Sequence, residues 1–151
     1  MRHLVTRDSG ETFALGAQLG RLARPGTVVA LIGDLGAGKT VFARGVGEGL
    51  EVQTRVASPT FIIVQTHEGG RLPYWHADFY RLAQADDLEQ LGLDEVIEGP
   101  GVTVIEWADR FVDALPADRL EVHIEGEGDD RRISLRATGP RHRHLETDLV
   151  P

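Results

Sequence analysis

Thr27-Val28-Val29-Ala30-Leu31-Ile32 runs directly into Gly33-Asp34-Leu35-Gly36-Ala37-Gly38-Lys39-Thr40, which is followed by Val41-Phe42-Ala43-Arg44. The first six residues are apolar or β-branched and read as a short buried strand. The octamer fits G-x-x-x-x-G-K-[ST], the loop that cradles phosphate groups, and the residues after it continue as a helix. Strand, glycine loop and helix in this order set the expected fold class. It is α/β, a P-loop NTPase-type three-layer arrangement with a mixed parallel/antiparallel sheet and helices on both faces. Lysine and arginine together number 16, yet Lys39 is the only lysine. The loop calls for a compact ammonium acting as a point charge, where a planar guanidinium fits poorly.

Working outward, Glu11 to Arg24 reads as a helix capped by Asp8 or Ser9 and stopped by Pro25-Gly26. The helix after the loop should run to about Glu48, with Gly45, Gly47 and Gly49 weakening its end and inviting a C-cap. Phe61 to Thr66 and Leu72 to Asp78 form a predicted hairpin about the Glu68-Gly69-Gly70-Arg71 turn. Asp87 to Val96 reads as a short helix, with Asp86 and Glu89 at capping-box spacing. Val102 to Glu106 is a buried strand ending in a carboxylate, and Asp109 to Leu115 is one or two helical turns. Leu120, Val122 and Ile124 alternate with Glu121, His123 and Glu125. Ile133 and Leu135 repeat that pattern as an antiparallel partner with one wet face. One domain spans 1–137, and the polar stretch 138–151 is expected to fray.

Composition narrows the function classes. The chain has 151 residues, no cysteine and a formal net charge of −8. Disulfides, thiolate nucleophiles and cysteine-ligated metals are excluded. The acidic balance argues against a surface that grips nucleic acid throughout, since that affinity comes from Lys and Arg at phosphates. The N-terminal residues carry no apolar signal core and no stretch approaches a membrane span, so a soluble cytoplasmic protein is the expectation.

The loop assigns its own chemistry. Backbone N–H groups from Gly36 through Val41 form a nest at a helix N-terminus, and Gly33, Asp34, Leu35, Gly36, Ala37, Gly38, Lys39, Thr40 and Val41 make up the nucleotide-binding set. Lys39 would neutralise the β/γ-oxygens, and the Thr40 hydroxyl would ligate Mg²⁺. Phosphoryl transfer also needs a carboxylate, for which Glu106 and Asp78 compete. Ser58-Pro59-Thr60 reads either as a proline turn opening a strand or as a switch that senses the γ-phosphate. Trp75, Trp107 and His76 read as structural. Arg131-Arg132 reads as a solvated turn, with reach to phosphate or adenine as the alternative.

Four blocks stand in order: GDLGAGKT (33–40), SPTF (58–61), HADFYRL (76–82) and IEWADR (105–110). Together they closely resemble the small ATPase family of bacterial tRNA threonylcarbamoyladenosine biosynthesis, TsaE, over residues 9 to 136. The resemblance implies ATP and Mg²⁺ as cofactors, and ATP hydrolysis that is weak alone and stimulated by partners. Those partners are the two proteins of the threonylcarbamoyl-transferase complex, through which the protein reaches tRNA indirectly. It implies catalytic roles for Lys39, Asp78 and Glu106, with Thr40 and Glu106, and Asp78 as a further candidate, around the metal. Ser58, Pro59 and Thr60 then match the switch, and Trp107 the aromatic of the Glu-Trp pair. Val41 stands where a second threonine is common, and Ala77 and Phe79 are mild variants around Asp78. Two other classes remain open: a nucleotide-gated protein-binding module with little turnover, and a small phosphotransferase. Without an N-K-x-D signal, guanine is not favoured over adenine.

Overall fold

A computed structural model describes residues 1–34, 36–54, 64–80, 82, 84, 87, 92–126 and 128–150. Seven strands, β1 (Arg2–Thr6), β2 (Val28–Ile32), β3 (Val64–His67), β4 (Tyr74–Asp78), β5 (Val102–Glu106), β6 (Leu120–Glu125) and β7 (Arg131–Ala137), form one sheet in the order β1-β7-β6-β2-β5-β4-β3. The four central strands, β6, β2, β5 and β4, are mutually parallel. Antiparallel partners close both sides: β7 and β1 beyond β6, and β3 beyond β4. The sheet is therefore mixed, as the sequence pattern predicts.

Alternation divides the sheet into two faces. Val29, Leu31, Val104, Val122 and Tyr74 face helices α1 (Ser9–Leu22), α2 (Lys39–Gly49) and α4 (Arg143–Asp148), and they form the larger core. Val28, Ala30, Ala77 and Ile105 face the opposite way. They pack with Leu93 of α3 (Leu93–Ile97) and with Ala108 and Leu115, at and just beyond a 3-10 segment over Ala108–Ala114. Asp8 caps α1 by accepting from the Glu11 N–H at 2.8 Å, which moves the helix start two residues upstream of its predicted position. The predicted capping pair, Asp86 and Glu89, lies outside the described residues.

Two expectations are corrected. Gly45 and Gly49 are not weak points at a fraying helix end; they are where α2 meets α1. A Cβ added at Gly45 would stand 2.1 Å from the Phe13 carbonyl oxygen, and one at Gly49 would stand 2.1 Å from that of Ala17. The first residues, to which the sequence assigns no element, form β1, an edge strand on β7 that puts Leu4 and Thr6 inward.

Second, the tail does not fray over its described residues 138–150. Leu145 and Leu149 are fully buried in the larger core, and Arg2 donates to the carbonyls of Glu146, Thr147 and Leu149. His142 is also buried. Its Nε2 accepts from the Val28 N–H at 2.9 Å and its Nδ1 pairs with Asp118 Oδ1 at 2.7 Å. Because Nε2 must accept, the proton sits on Nδ1 and the ring is neutral.

Burial holds the His142 pKa below the ordinary imidazole range, overriding the upward pull of Asp118 and reinforced by Arg141 and His144. A lowered pKa means that the folded state favours the neutral ring, so its contribution is complete above the unfolded pKa and is lost as pH falls through the folded one. Melting temperature should therefore fall as pH drops below the ordinary imidazole pKa of about 6.5, and His142→Gln should flatten that part of the curve. An identical slope in the variant would place the pH dependence elsewhere.

Candidate functional site

Parallel register brings three strand ends to one edge. Leu31 of β2 stands beside Glu106 at the end of β5, and Glu106 stands beside Asp78 at the end of β4. Ligands of open α/β sheets lie beyond these carboxyl ends. Here the chain leaves β2 through Gly33 and enters α2 at Lys39. Gly38 makes the turn with φ 109°, a left-handed conformation that a side chain would strain, and no side chain caps the helix. The first N–H groups of α2 thus keep their donors for an external acceptor.

Lys39 folds back over this loop. Its Nζ donates to the carbonyls of Gly33 at 2.6 Å and Asp34 at 2.9 Å, and it stands 4.0 Å from the centre of the Trp107 ring. Only 4% of the residue is exposed. Burial lowers its pKa, opposed by the charges of Glu106, Asp78, Asp109 and Asp34. Trp107 reaches the lysine because the chain turns left-handed directly after Glu106 (φ 57°), and the Tyr80 ring packs against it, tilted, at 4.9 Å between ring centres.

The Thr40 hydroxyl donates to Glu106 Oε1 at 2.9 Å. Glu106 is buried at 3% exposure, and its Oε2 pairs with His76 Nε2 at 2.5 Å. Asp78 is half-buried and accepts from the Tyr80 N–H at 2.8 Å. Burial raises its pKa; the Tyr80 N–H, His76 and Lys39 pull it down, while Glu106 pushes it further up. Lys39, Thr40, Asp78 and Glu106 are therefore gathered at one edge of the sheet. Leu35 and the switch candidates Ser58, Pro59 and Thr60 lie outside the described residues.

This donor set fits a phosphate chain with Mg²⁺. A buried ammonium and open helix amides suit anions, and a hydroxyl with two carboxylates offers the oxygen ligands that magnesium prefers. Among the described residues no cluster of three or more His, Cys, Asp or Glu is placed to hold a metal. Magnesium held partly by phosphates and water needs no such cage.

Arg131 corrects another expectation. It is not a solvated turn residue: Nε donates to the Ala37 carbonyl at 2.8 Å and a terminal nitrogen to that of Gly36 at 3.4 Å. The β6–β7 turn thereby braces the loop, while Arg132 stays exposed beside Glu125. Sequence spacing carries no trace of this contact, since it joins two turns through the sheet. A cleft of about 200 Å³ lies alongside, lined by Ser9, Thr12, Ala37, Val41, Asp129 and Arg131 among others.

The sequence pattern of the family described as "Threonylcarbamoyl adenosine biosynthesis protein TsaE" matches residues 6–134. The chain belongs to the TsaE family. A Bacillus subtilis (strain 168) relative named "tRNA threonylcarbamoyladenosine biosynthesis protein TsaE" is 44% identical over 145 residues, spanning 95% of this chain and 90% of its own. A TsaE of the same name from Streptomyces coelicolor is 41% identical over 141 residues, spanning 89% and 95%. The crystal structure of Bacillus subtilis YdiB superposes with a TM-score of 0.85 at 38% identity, covering 98% of this chain and 93% of that one. The TsaE resemblance drawn from four sequence blocks thus extends over most of the chain. Among the described residues no helix is long and apolar enough to cross a membrane.

Proposed function

We propose that this chain is a Mg²⁺-dependent, cytoplasmic P-loop ATPase that supports threonylcarbamoyl modification of the adenosine beside the anticodon of tRNA. It works with the two proteins of the transferase complex and reaches tRNA through them. The observation that carries the ATPase reading is the Thr40–Glu106 hydrogen bond beside a buried Lys39. With its proton given to Glu106, the Thr40 hydroxyl keeps its lone pairs free toward the loop mouth, where a metal ligand is required.

Bound ATP supplies the phosphoryl group, and Mg²⁺ spreads the charge that develops on it. Lys39 neutralises the β/γ-oxygens, and the α2 amides hold them in line. Glu106 orients Thr40 from below. Asp78, with its raised pKa, stands at the same mouth as the group able to position a water and accept its proton. The cleft beside Ala37 and Arg131 is apolar enough at Val41 and Ala37 to take the base. Asp129 and Ser9 there offer polar atoms for an adenine edge.

The direct test is ATP hydrolysis with and without the two partner proteins and tRNA. Turnover should be low alone and rise in the complex. Glu106→Ala should retain most nucleotide binding yet lose about 10- to 100-fold in turnover, and Glu106→Gln separates lost charge from lost packing. Normal hydrolysis by both variants in the full complex would remove Glu106 from the mechanism. Repeated tRNA modification with a non-hydrolysable analogue would instead favour a nucleotide-gated binding module.

A further inference from the structure

We propose that His76 is a positioning residue for the nucleotide site, holding the Glu106 carboxylate in the one orientation that serves Thr40. This rests on the ATPase reading above. His76 and Tyr74 project from β4 to the same face as Glu106 on β5, and Asp78, two residues on, is Glu106's register partner. The imidazole is completely buried, and its Nε2 lies 2.5 Å from Glu106 Oε2. Glu106's other oxygen is taken by Thr40. A carboxylate with one oxygen tied to the strand beside it and the other to the loop cannot rotate without breaking one of the two bonds.

The ring itself is fixed from behind. Tyr74 stacks on it with 7° between the planes and 6.3 Å between centres, and the Tyr74 hydroxyl donates to the Ala43 carbonyl of α2 at 2.8 Å. Strand, ring stack and helix thus hold His76 against the carboxylate. Among the described residues Nδ1 has no hydrogen-bond partner, and the ring's only hydrogen bond is to the site's acid. Because a carboxylate only accepts, Nε2 carries the proton.

Two substitutions separate positioning from packing. His76→Gln keeps an N–H donor near the reach of Nε2, whereas His76→Leu keeps bulk and removes the donor. Binding of a fluorescent ATP analogue would be measured first in EDTA and then across a Mg²⁺ titration, with melting curves alongside. Affinity in EDTA should stay within about twofold of the parent for both variants. The Mg²⁺ concentration for half-maximal response should rise about 10-fold or more in His76→Leu and much less in His76→Gln, as for lost partners of metal ligands. If His76→Leu does not fold, His76→Asn, whose shorter amide cannot reach Glu106, takes its place against His76→Gln.

Nitrogen-15 spectra of the ligand-free protein should show the Nε2-protonated ring. A ring protonated only on Nδ1 overturns the proposal. So does a donor-less variant that melts lower yet titrates Mg²⁺ like the parent. A parent that shows no Mg²⁺-linked nucleotide binding sinks the ATPase reading itself, and the role of His76 with it.

Discussion

Lys39→Ala is expected to lower ATP affinity by about two to three orders of magnitude while leaving the ligand-free protein folded. Removing one member of a desolvated charge pair costs on the order of 3–4 kcal/mol, much of it because the phosphate oxygens are left facing carboxylates alone. Asp34, Asp78, Glu106 and Asp109 all act on Lys39, and with the ammonium gone they would repel the nucleotide. Stability should move differently. Burial lowers the Lys39 pKa, so the charged ammonium is less favoured in the fold than in the unfolded chain. Its loss should leave the melting temperature of the ligand-free protein within a few degrees of the parent. Lys39→Arg should fail nearly as badly in binding, because a planar fork cannot fold back onto Gly33 and Asp34 as the ammonium does. Calorimetric titration with ATP and Mg²⁺, paired with thermal melts, checks both halves. Near-parental affinity in Lys39→Ala would overturn the placement of the phosphates.

Gly45→Ala sets two effects against each other. Helix propensity favours alanine by about 1 kcal/mol. Against it stands a Cβ placed 2.1 Å from the Phe13 carbonyl oxygen and 3.0 Å from the Ala17 nitrogen, both backbone atoms of α1 that cannot rotate away. Such overpacking costs roughly 1–3 kcal/mol and more where backbone must shift. The helices would have to part, and packing should win by about 2 kcal/mol or more, a fall in melting temperature of roughly 5–8 °C for a domain of this size. Gly49→Ala meets the Ala17 carbonyl at the same distance and should behave alike. Alanine at position 45 that raises the melting temperature would mean that the two helices do not pack this closely. Because α2 begins at Lys39, their separation would also displace the loop, and nucleotide affinity should fall together with stability.

Those glycines show where sequence stops being legible. As local signals they mark a poor helix end; their role exists only once α1 lies across them. The apolar run 28–32, the octamer and the acid after Val102–Ile105 were readable because each follows from neighbours in the chain. β1 is illegible in sequence because Arg2, His3 and a half-exposed Val5 dilute a strand only five residues long. Leu145 and Leu149, four apart and both buried, were a helical signal hidden among Arg, His and Asp. Lys39, Thr40 and Glu106 could each be named from sequence, but the hydrogen bond between the last two depends on β2 and β5 being adjacent and parallel. The His76 contact likewise depends on register, which composition does not encode.

The grip of Arg131 on the carbonyls of Gly36 and Ala37 also bears on how far the octamer can be treated as a portable part. A designer who transplanted residues 33–40 onto another strand and helix would carry over every letter of the motif. The guanidinium that steadies its outer turn, 94 residues downstream of Ala37, would stay behind. Such a graft would need a cation supplied from the neighbouring hairpin before its loop held the same shape.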